Sequence, residues 1–323
     1  MTSALVTGAT GFVGSHLADL LLDRGWRVFC TVRRTSKLRW LDGKPVERID
    51  ADLRLPLELP EVDVVFHVAG VVRGETVEDY RRGNWLASKH MIEAARCRRF
   101  VHVSSIAAVG PGCVNEGSPC RPVSDYGRSK LEGEREVWKH RDRVPITILR
   151  PPVVYGARDE GLLEMYRALA GGLRPEVGRG KRISIVHVRD LVEGMLAAAE
   201  HEAAAGEIFC LANADTYGMA EMMEMILDAI GRRRALRLSI PDRVVRFLAG
   251  VAEDAGRFVG RVPMFNRDKA AEMTQPAWVC SAAKAERLLG WRARVPIREG
   301  LREMLEWYAR EGLLTFDLRK AGC

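Results

Sequence analysis

The stretch Val6-Thr7-Gly8-Ala9-Thr10-Gly11-Phe12-Val13-Gly14 decides the fold of this chain. Before it, Ala4-Leu5-Val6 is a short apolar run of the kind that forms a buried parallel strand. Within and after it, apolar residues recur at helical spacing, namely Phe12, Val13, Leu17, Leu20 and Leu21. The local order is therefore strand, tight turn and helix.

The three glycines of this stretch point to a phosphate ligand. They let the turn close, let backbone N–H groups approach a pyrophosphate, and let the helix pack close to the strand. An ordinary glycine-rich turn is the alternative, but the flanking strand and helix disfavour it. We therefore predict a dinucleotide site. The cofactor-binding residues predicted in this turn are Gly8, Thr10, Gly11, Phe12, Val13 and Gly14.

Length and composition restrict the class of protein. A chain of 323 residues with 47% hydrophobic content can bury a large core. The first strand begins without a signal-like segment, and no run approaches the eighteen or so apolar residues of a membrane span, so we expect a cytoplasmic protein. The seven cysteines are scattered, without Cys-x-x-Cys or Cys/His clusters, which predicts free thiols and no metal site.

The net charge of +7, from 50 Lys+Arg against 43 Asp+Glu, favours anionic ligands. It is compatible with an anionic cofactor and with weak contact to a membrane surface. No basic run is interleaved with aromatic residues, so we predict that no nucleic acid is bound.

The order of elements predicts an α/β fold. The expected strands after the first are 26–32, a third ending at 49–52, 62–68, 100–104 and 144–149. Helices are expected at 80–97 and 126–140. This alternation is typical of a doubly wound parallel sheet, the Rossmann arrangement, with its ligand at the carboxyl ends of the strands.

Beyond Arg150-Pro151-Pro152 the alternation loosens. We predict a dinucleotide-binding domain of residues 1–151 plus about 183–206. Residues 152–182 and 207–323 are expected to form a smaller C-terminal α/β cap, which binds the substrate.

A tyrosine and a lysine four residues apart, Tyr126 and Lys130, lie on one face of a predicted helix. A phenol with a pKa near ~10 is a poor base, but a neighbouring ammonium and an oxidised nicotinamide ring both favour the phenolate. Such a pair also occurs on solvated helix faces. Here Ser104-Ser105 ends a strand about twenty residues earlier, where a serine can hydrogen-bond a reacting oxygen.

Taken together, these motifs resemble the extended short-chain dehydrogenase/reductase family, the NAD-dependent epimerase/dehydratase group. The resemblance covers nearly the whole chain. Its motifs are Thr7 to Gly14, Asp52-Leu53, His67-Val68-Ala69-Gly70, Ser104-Ser105, Tyr126 to Lys130, Arg150 to Gly156, and His187-Val188-Arg189-Asp190.

The resemblance implies roles for individual residues. Ser105 takes the place of the catalytic serine, Tyr126 that of the acid/base, and Lys130 that of the residue holding the nicotinamide ribose. Asn84 matches the family's helix asparagine, although a surface position is the alternative. Further residues implied to contact the cofactor are Asp52, Leu53, Val68, Ala69, Gly70, Pro151 and Val153. Substrate contacts are expected from Ser105, Tyr126 and Val153.

The end of the second strand favours one cofactor. A carboxylate that would hold the adenosine ribose of NAD is missing there, and Arg33 and Arg34 follow instead. Two guanidinium groups can bind a 2′-phosphate, so we predict NADP(H), with NAD(H) as an alternative. The simpler interpretation is that both arginines are merely solvated.

Two departures bear on the substrate. Relatives acting on nucleotide sugars usually carry an asparagine where this chain has Val153, and no second acid/base is visible in Ser105-Ile106-Ala107-Ala108-Val109. A nucleotide-sugar substrate is therefore disfavoured.

The cap contains an amphipathic segment, with apolar residues at helical spacing from Ile240 to Val259 and Arg243, Arg246 and Arg257 off that face. It resembles the 3β-hydroxysteroid dehydrogenase-like and dihydroflavonol reductase-like members, whose substrates are apolar. A plain core-packing helix and a membrane-surface role remain open.

We accordingly predict an NADP(H)-dependent oxidoreductase that interconverts a ketone or aldehyde with an alcohol on a fairly apolar small molecule, steroid-, isoprenoid- or flavonoid-like. The alternatives are a nucleotide-sugar epimerase or dehydratase, and a non-enzymatic cofactor sensor. A homodimer through the helices that start near Tyr80 and Tyr126 is expected from the family.

Overall fold

A computed structural model of the chain describes residues 1–178, 180–232, 234–258 and 265–315. Its first half alternates strands and helices. The strands are β1 (Ser3–Thr7), β2 (Arg27–Val32), β3 (Val46–Asp50), β4 (Val62–His67), β5 (Cys97–Val103), β6 (Gly112–Val114) and β7 (Ile146–Arg150). The helices are α1 (Phe12–Asp23), α2 (Val77–Tyr80), α3 (Ala87–Ala94) and α4 (Asp125–Trp138).

The second half has shorter strands. They are β8 (Val153–Tyr155), β9 (Leu173–Val177), β10 (Arg182–His187), β11 (Glu207–Cys210), β12 (Thr216–Gly218), β13 (Leu236–Ile240) and β14 (Ala277–Cys280). The helices are α5 (Leu163–Ala170), α6 (Val188–Glu200), α7 (Met219–Ala229), α8 (Asp242–Phe258), α9 (Arg267–Met273), α10 (Ala283–Leu289) and α11 (Ile297–Arg310).

Seven strands form the main sheet in the order β11-β7-β5-β4-β1-β2-β3, and each neighbouring pair is parallel. Helices pack on this sheet over apolar cores. The order reverses at β1, whose neighbours are β2 and β4, so a crevice opens at the carboxyl ends of β1 and β4. This parallel order, with helices packed on the sheet, confirms the predicted doubly wound Rossmann fold. The physical reason is that strands buried on both faces must be covered by crossover helices.

A second sheet has the order β12-β10-β14-β6, with β8 also paired to β10, and a third consists of β9 and β13. Two strands that are consecutive in sequence, β10 and β11, belong to different sheets. β11 is the edge of the main sheet, whereas β10 belongs to the second sheet. The domain boundaries at 151, 183 and 207 stay a prediction.

The helix predicted at 80–97 has a different form. It consists of α2, a π-helical turn over Arg81–Leu86, and α3, which ends at Ala94 so that β5 can begin at Cys97. Single π-helical turns are often found at functional sites. Here the turn holds Asn84, which is only 2% exposed, so the alternative of a surface asparagine is wrong.

The cap helices differ in burial. α7 buries Met222, Met223 and Met225 in an apolar cluster, as expected for a core helix. α8 realises the amphipathic segment predicted from Ile240 onward. The side chains of Arg257 and Phe258, and the whole of Val259, lie outside the described residues.

Candidate functional site

The glycine-rich turn connects β1 to α1 at the crevice. Gly8 has a φ of 71°, and a Cβ on it would lie 2.9 Å from the Ala69 Cα atom. A Cβ on Gly14 would overlap the Gly8 carbonyl oxygen. The backbone at the start of α1 therefore stays uncovered, and Thr10, Phe12 and Val13 are partly exposed beside it. The turn fits a pyrophosphate, since α1 also lacks acidic residues in its first turn.

A hydrogen-bonded network fixes the strand end that faces this turn. The Thr7 hydroxyl accepts from the backbone N–H groups of Val68 and Ala69, at 3.1 and 3.0 Å, and donates to His67 Nδ1 at 2.9 Å. His67 Nε2 lies 3.0 Å from the Ser88 hydroxyl, which donates to the Asn84 carbonyl. The proton on Nε2 is assigned from this network.

The same network keeps His67 uncharged. Burial, followed by the nearby Lys130 charge, lowers the pKa of His67 to about 3. A neutral imidazole satisfies both neighbours, whereas an imidazolium would lose the Thr7 hydrogen bond. The segment Val68-Ala69-Gly70 is thereby held against the glycine-rich turn, where the sequence predicted cofactor contacts.

Ser105, Tyr126 and Lys130 come together at the carboxyl end of β5. The Ser105 hydroxyl accepts from the backbone N–H of Ala107 and hydrogen-bonds the Tyr126 phenol. Ser104 is buried, and its hydroxyl has no partner among the described residues. Of the two serines, the half-buried Ser105 is therefore the one that faces the tyrosine.

Lys130 lies one helical turn after Tyr126 on α4 and is 5% exposed. Its ammonium donates to the Val103 carbonyl at 2.7 Å. Burial lowers the pKa of Lys130 to about 8, and the Glu134 carboxylate opposes this shift. The Lys130 side chain is therefore held at the base of the site with a pKa not far above neutral pH.

Asn84 joins the π-helical turn to α4. Its amide nitrogen donates to the Val71 carbonyl at 2.9 Å and to the Ser129 hydroxyl at 2.8 Å, while its oxygen accepts from the Val71 backbone. Asn84 is the buried residue of the π-helical turn. Asn84 thus braces the helix that carries Tyr126 and Lys130.

The surroundings of the Tyr126 phenol shift its pKa. Burial, followed by the charge of Glu272, raises the pKa of Tyr126, and the Ser105 hydrogen bond opposes this only in part. The tyrosine is therefore protonated at neutral pH in this structure. Desolvation of the phenolate decides the direction of this pKa shift. The spacing of residues along one helix cannot reveal desolvation.

Helix α9 contributes residues that sequence reasoning missed. The Asp268 carboxylate accepts from the backbone N–H groups of Asp125 and Tyr126, and Glu272 accepts from the Ser124 hydroxyl at 2.8 Å. Asn266 hydrogen-bonds the Tyr80 phenol, whose ring centroid lies 6.4 Å from that of Tyr126. Only the spacing of Asp268 and Glu272 on one helical face hinted at a shared target.

At the end of β2, Arg33 and Arg34 are both exposed. Arg34 pairs with Asp50 at 3.0 Å, and Asp50 lies opposite Val32 in the β2–β3 register. Within the described residues, no ion pair is seen for Arg33. No acidic residue directly follows β2 in the sequence, but the parallel pairing of β2 with β3 brings Asp50 to this strand end.

Asp52 and Leu53 follow the end of β3, which is parallel to β2, so they lie at the same edge of the sheet as Arg33 and Arg34. The Asp52 carboxylate binds the Arg54 side chain, which lowers the pKa of Asp52 to about 2. The Leu53 carbonyl lies 3.1 Å from His90 Nδ1. Their predicted adenine contact stays a prediction.

The segment after β7 closes the other side of the site. The Pro151 carbonyl accepts from the Ile106 backbone at 3.1 Å, and Val153 is 36% exposed at the start of β8. His187 packs edge-on against Tyr155 at 5.1 Å, and a Cβ on Gly300 would lie 2.8 Å from the Tyr155 hydroxyl. His187 thus braces α11 against the second sheet.

Cysteines and acidic groups give no sign of a metal centre in the described ranges, where no cluster of three or more His, Cys, Asp or Glu residues could hold an ion. Cys113 is exposed, and Cys120 accepts a hydrogen bond from Arg150. Cys323 lies outside the described residues.

Fold and site together define an NAD(P)-binding enzyme with a Ser, Tyr and Lys cluster. The model of the NAD dependent epimerase/dehydratase family matches residues 4–212, and the chain belongs to this family. Its homologues are NAD(P)-dependent oxidoreductases and epimerases, so the chain is an enzyme.

Two curated relatives cover most of the chain. A ceramide reductase of Caulobacter vibrioides is 29% identical, with 97% of this chain and 96% of that protein aligned. The sterol demethylase protein B of Methylococcus capsulatus is 30% identical, over 82% of this chain and 86% of that protein.

Solved structures agree on the fold over nearly the full length. The crystal structure of gox2253 superposes with a TM-score of 0.80 at 26% identity, covering 97% of this chain and 99% of the other. MoeE5 in complex with UDP-glucuronic acid and NAD gives a TM-score of 0.75 at 26% identity, covering 96% and 99%.

Proposed function

We propose that this enzyme is an NADP(H)-dependent oxidoreductase that interconverts a ketone or aldehyde with an alcohol on a fairly apolar small molecule. The observation that carries this proposal is the grouping of the Tyr126 phenol, Ser105 and the buried Lys130 ammonium at the carboxyl end of β5. A protonated phenol is the form needed to reduce a carbonyl, since the product alkoxide must receive a proton.

Each residue has a defined task in this reaction. NADPH, when bound in the glycine-rich turn, supplies the hydride. Tyr126 gives its proton to the carbonyl oxygen. Ser105 donates a hydrogen bond to the same oxygen, a contribution on the order of 3 kcal/mol for an oxyanion donor. Lys130 places a positive charge near the phenolate that remains, and Asn84 keeps α4 in position.

The cofactor preference rests on Arg33. Its guanidinium is exposed at the end of β2, where a 2′-phosphate on the adenosine ribose would lie. Arg34 is shared with Asp50, a carboxylate that would also suit the unmodified ribose of NAD. Arg33→Asp is therefore expected to weaken NADPH binding much more than NADH binding, measured by fluorescence titration. Equal losses for both cofactors would contradict the NADPH assignment.

An apolar substrate is supported by two observations. The relatives named above include proteins called ceramide reductase and sterol demethylase protein B. Near the site, Val153 presents an apolar and partly exposed side chain where a polar amide would suit a nucleotide sugar. Ketones on long-chain, steroid- or isoprenoid-like molecules are thus the proposed substrates.

The experiment that tests this function follows nicotinamide absorbance with purified protein. NADPH and NADH are compared against long-chain ketone, steroid, flavonoid-like and nucleotide-sugar substrates. Stoichiometric oxidation of NADPH with an apolar ketone is the expected result. A cofactor that stays unchanged while no ketone is consumed would overturn the reductase proposal.

A nucleotide-sugar epimerase or dehydratase is the second candidate. It is favoured by the likeness to MoeE5, whose structure contains UDP-glucuronic acid and NAD. Such an enzyme would convert UDP-sugars with no net change in nicotinamide absorbance, a result that chromatography of the products in the same panel would detect.

A further inference from the structure

Exposed apolar side chains are concentrated on one part of the surface. Of the thirteen large apolar side chains that are exposed in the described ranges, seven lie on β9, β13 and α8. We call these seven the apolar face: Leu173, Leu236, Leu238, Val244, Phe247, Leu248 and Val251. Large contiguous apolar surfaces on proteins usually mark interaction sites.

On α8 the exposed members form one stripe. Val244, Phe247, Leu248 and Val251 follow the i, i+3, i+4, i+7 pattern of a single helical face. Phe247 is 70% exposed, whereas the neighbouring Val245 is 2% exposed. The helix therefore uses one narrow side for core packing and presents its apolar stripe to solvent.

The small sheet of β9 and β13 lies beside α8. Val245 packs in one cluster with Val177 and Ile240, which are paired at the end of β9 and β13. Alternate residues of a strand share a face, so Leu236 and Leu238 lie on the same side of the sheet as Ile240. α8 covers only the Ile240 end, and the leucines extend the surface beyond it.

Charges around the face are mainly basic. Arg234 and Arg243 are exposed, and no ion pair of either is seen among the described residues. The acidic neighbours are engaged in ion pairs, because Asp242 pairs with Lys181 at 3.0 Å, and Glu253 and Asp254 both pair with Arg267, at 3.2 and 2.7 Å. The face thus combines apolar side chains with unneutralised positive charge, a composition that suits an anionic lipid surface.

We propose that the apolar face docks this enzyme on an anionic lipid bilayer, with α8 lying in the plane of the headgroups. No helix in the described ranges is long and apolar enough to cross a membrane, so the contact would be at the surface. A second copy of the chain fits less well, because a two-fold interface places the same basic patch, with Arg234 and Arg243, on both sides of the contact.

Docking would also bring the bilayer close to the reaction. α8 packs on α9 through Ala249 and Ala270, and α9 contacts the catalytic helix through Asp268. This step rests on the proposed function, in which the substrate is an apolar ketone of the kind that dissolves in membranes. The surface contact itself does not depend on which substrate is reduced.

Vesicle co-sedimentation tests the docking with the full-length protein. Binding is measured to phosphatidylcholine vesicles with and without phosphatidylglycerol. Phe247→Glu is expected to weaken binding to the anionic vesicles about tenfold or more. Leu55→Glu is the matched control, since Leu55 is 57% exposed but lies outside the apolar face. Circular dichroism melting shows whether each variant is folded.

A further variant separates the contribution of charge from that of apolar contact. Arg243→Glu is expected to reduce binding to anionic vesicles several-fold and to leave binding to neutral vesicles unchanged. Equal binding by wild type and Phe247→Glu would overturn the proposal. So would a stable dimer in light scattering that Phe247→Glu converts to monomer, in the absence of vesicle binding.

The same proteins distinguish this inference from the proposed function. Oxidation of NADPH with a water-soluble ketone, without vesicle binding, would remove the docking and leave the reductase. Vesicle binding without any reductase activity would support the docking and contradict the proposed reductase function. Phe247→Glu is expected to retain full activity on the water-soluble ketone, because the variant leaves α9 and Tyr126 untouched.

Discussion

The Asp268 carboxylate accepts a hydrogen bond from the backbone N–H of Tyr126 at 3.3 Å, across 142 residues of sequence. A second hydrogen bond comes from the backbone N–H of Asp125. These N–H groups belong to the first turn of α4, where no intrahelical acceptor exists and a negative charge is favourable. Asp268 therefore ties the cap to the helix that carries the phenol.

Asp268→Asn is expected to lower kcat roughly tenfold while leaving NADPH affinity unchanged. The neutral amide has one oxygen for two donors, so one N–H loses its partner and the first turn of α4 loosens. Steady-state kinetics and cofactor titration measure the two quantities. Asp215→Asn, in a loop after β11, is the control. An unchanged kcat in Asp268→Asn would show that Asp268 does not position Tyr126.

Glu272→Gln is expected to shift the pH profile of ketone reduction. The Glu272 charge raises the pKa of Tyr126, so its removal lowers that pKa. Reduction needs the protonated phenol and is lost as pH rises through this pKa. The alkaline limb of kcat should therefore move to lower pH in Glu272→Gln, and Glu272→Asp should restore it in part. A limb that does not move would remove Glu272 from the tuning of Tyr126.

Tyr126→Phe is expected to abolish turnover with nearly unchanged cofactor affinity. The substitution removes the proton donor but keeps the ring on α4. Ser105→Ala should leave weak activity, with kcat reduced about a hundredfold, because one donor to the carbonyl oxygen is lost. Single-turnover absorbance at saturating NADPH measures both. Retained turnover in Tyr126→Phe would refute its role as acid.

Lys130→Met is expected to abolish activity and to increase stability at neutral pH. Burial lowers the pKa of Lys130 from 10.5 to about 8, so the unfolded chain holds this proton more tightly. Burying the charged lysine therefore lowers the free energy of unfolding. The whole effect is present below pH 8, and it disappears as pH rises towards 10.5. Its size is on the order of 3 kcal/mol, and Lys130→Met regains this amount less the contribution of the lost hydrogen bond to Val103.

Urea unfolding at pH 7 and at pH 10 measures this effect. The stability gain of Lys130→Met should be larger at pH 7 than at pH 10. Lys89→Met on exposed surface of α3 is the control and should show no such difference. A gain that does not depend on pH would mean that burial of the charge is not its cause.

Local patterns were enough for the central elements of the fold. Helix α4 was predicted at 126–140 and runs over Asp125–Trp138, because its apolar spacing and its own cap residue Ser124 specify it locally. The helix predicted at 80–97 was only partly right. The π-helical turn at Arg81–Leu86 holds Asn84, whose partners Val71 and Ser129 lie 13 and 45 residues away, so the spacing within the helix could not reveal it.

Short-range periodicity, with the rule that parallel strands end at one edge, was enough to predict the parallel sheet and the glycine-rich turn. The grouping of Ser105, Tyr126 and Lys130 came from the resemblance to the family, which the strand end at Ser104-Ser105 and the helical spacing of Tyr126 and Lys130 support. Three features depend on the folded structure: the raised pKa of Tyr126, the contacts of Asp268 and Glu272 with the start of α4, and the exposure of Phe247. Desolvation and long-range contacts depend on which surfaces meet, and residue spacing along a single segment carries no record of that.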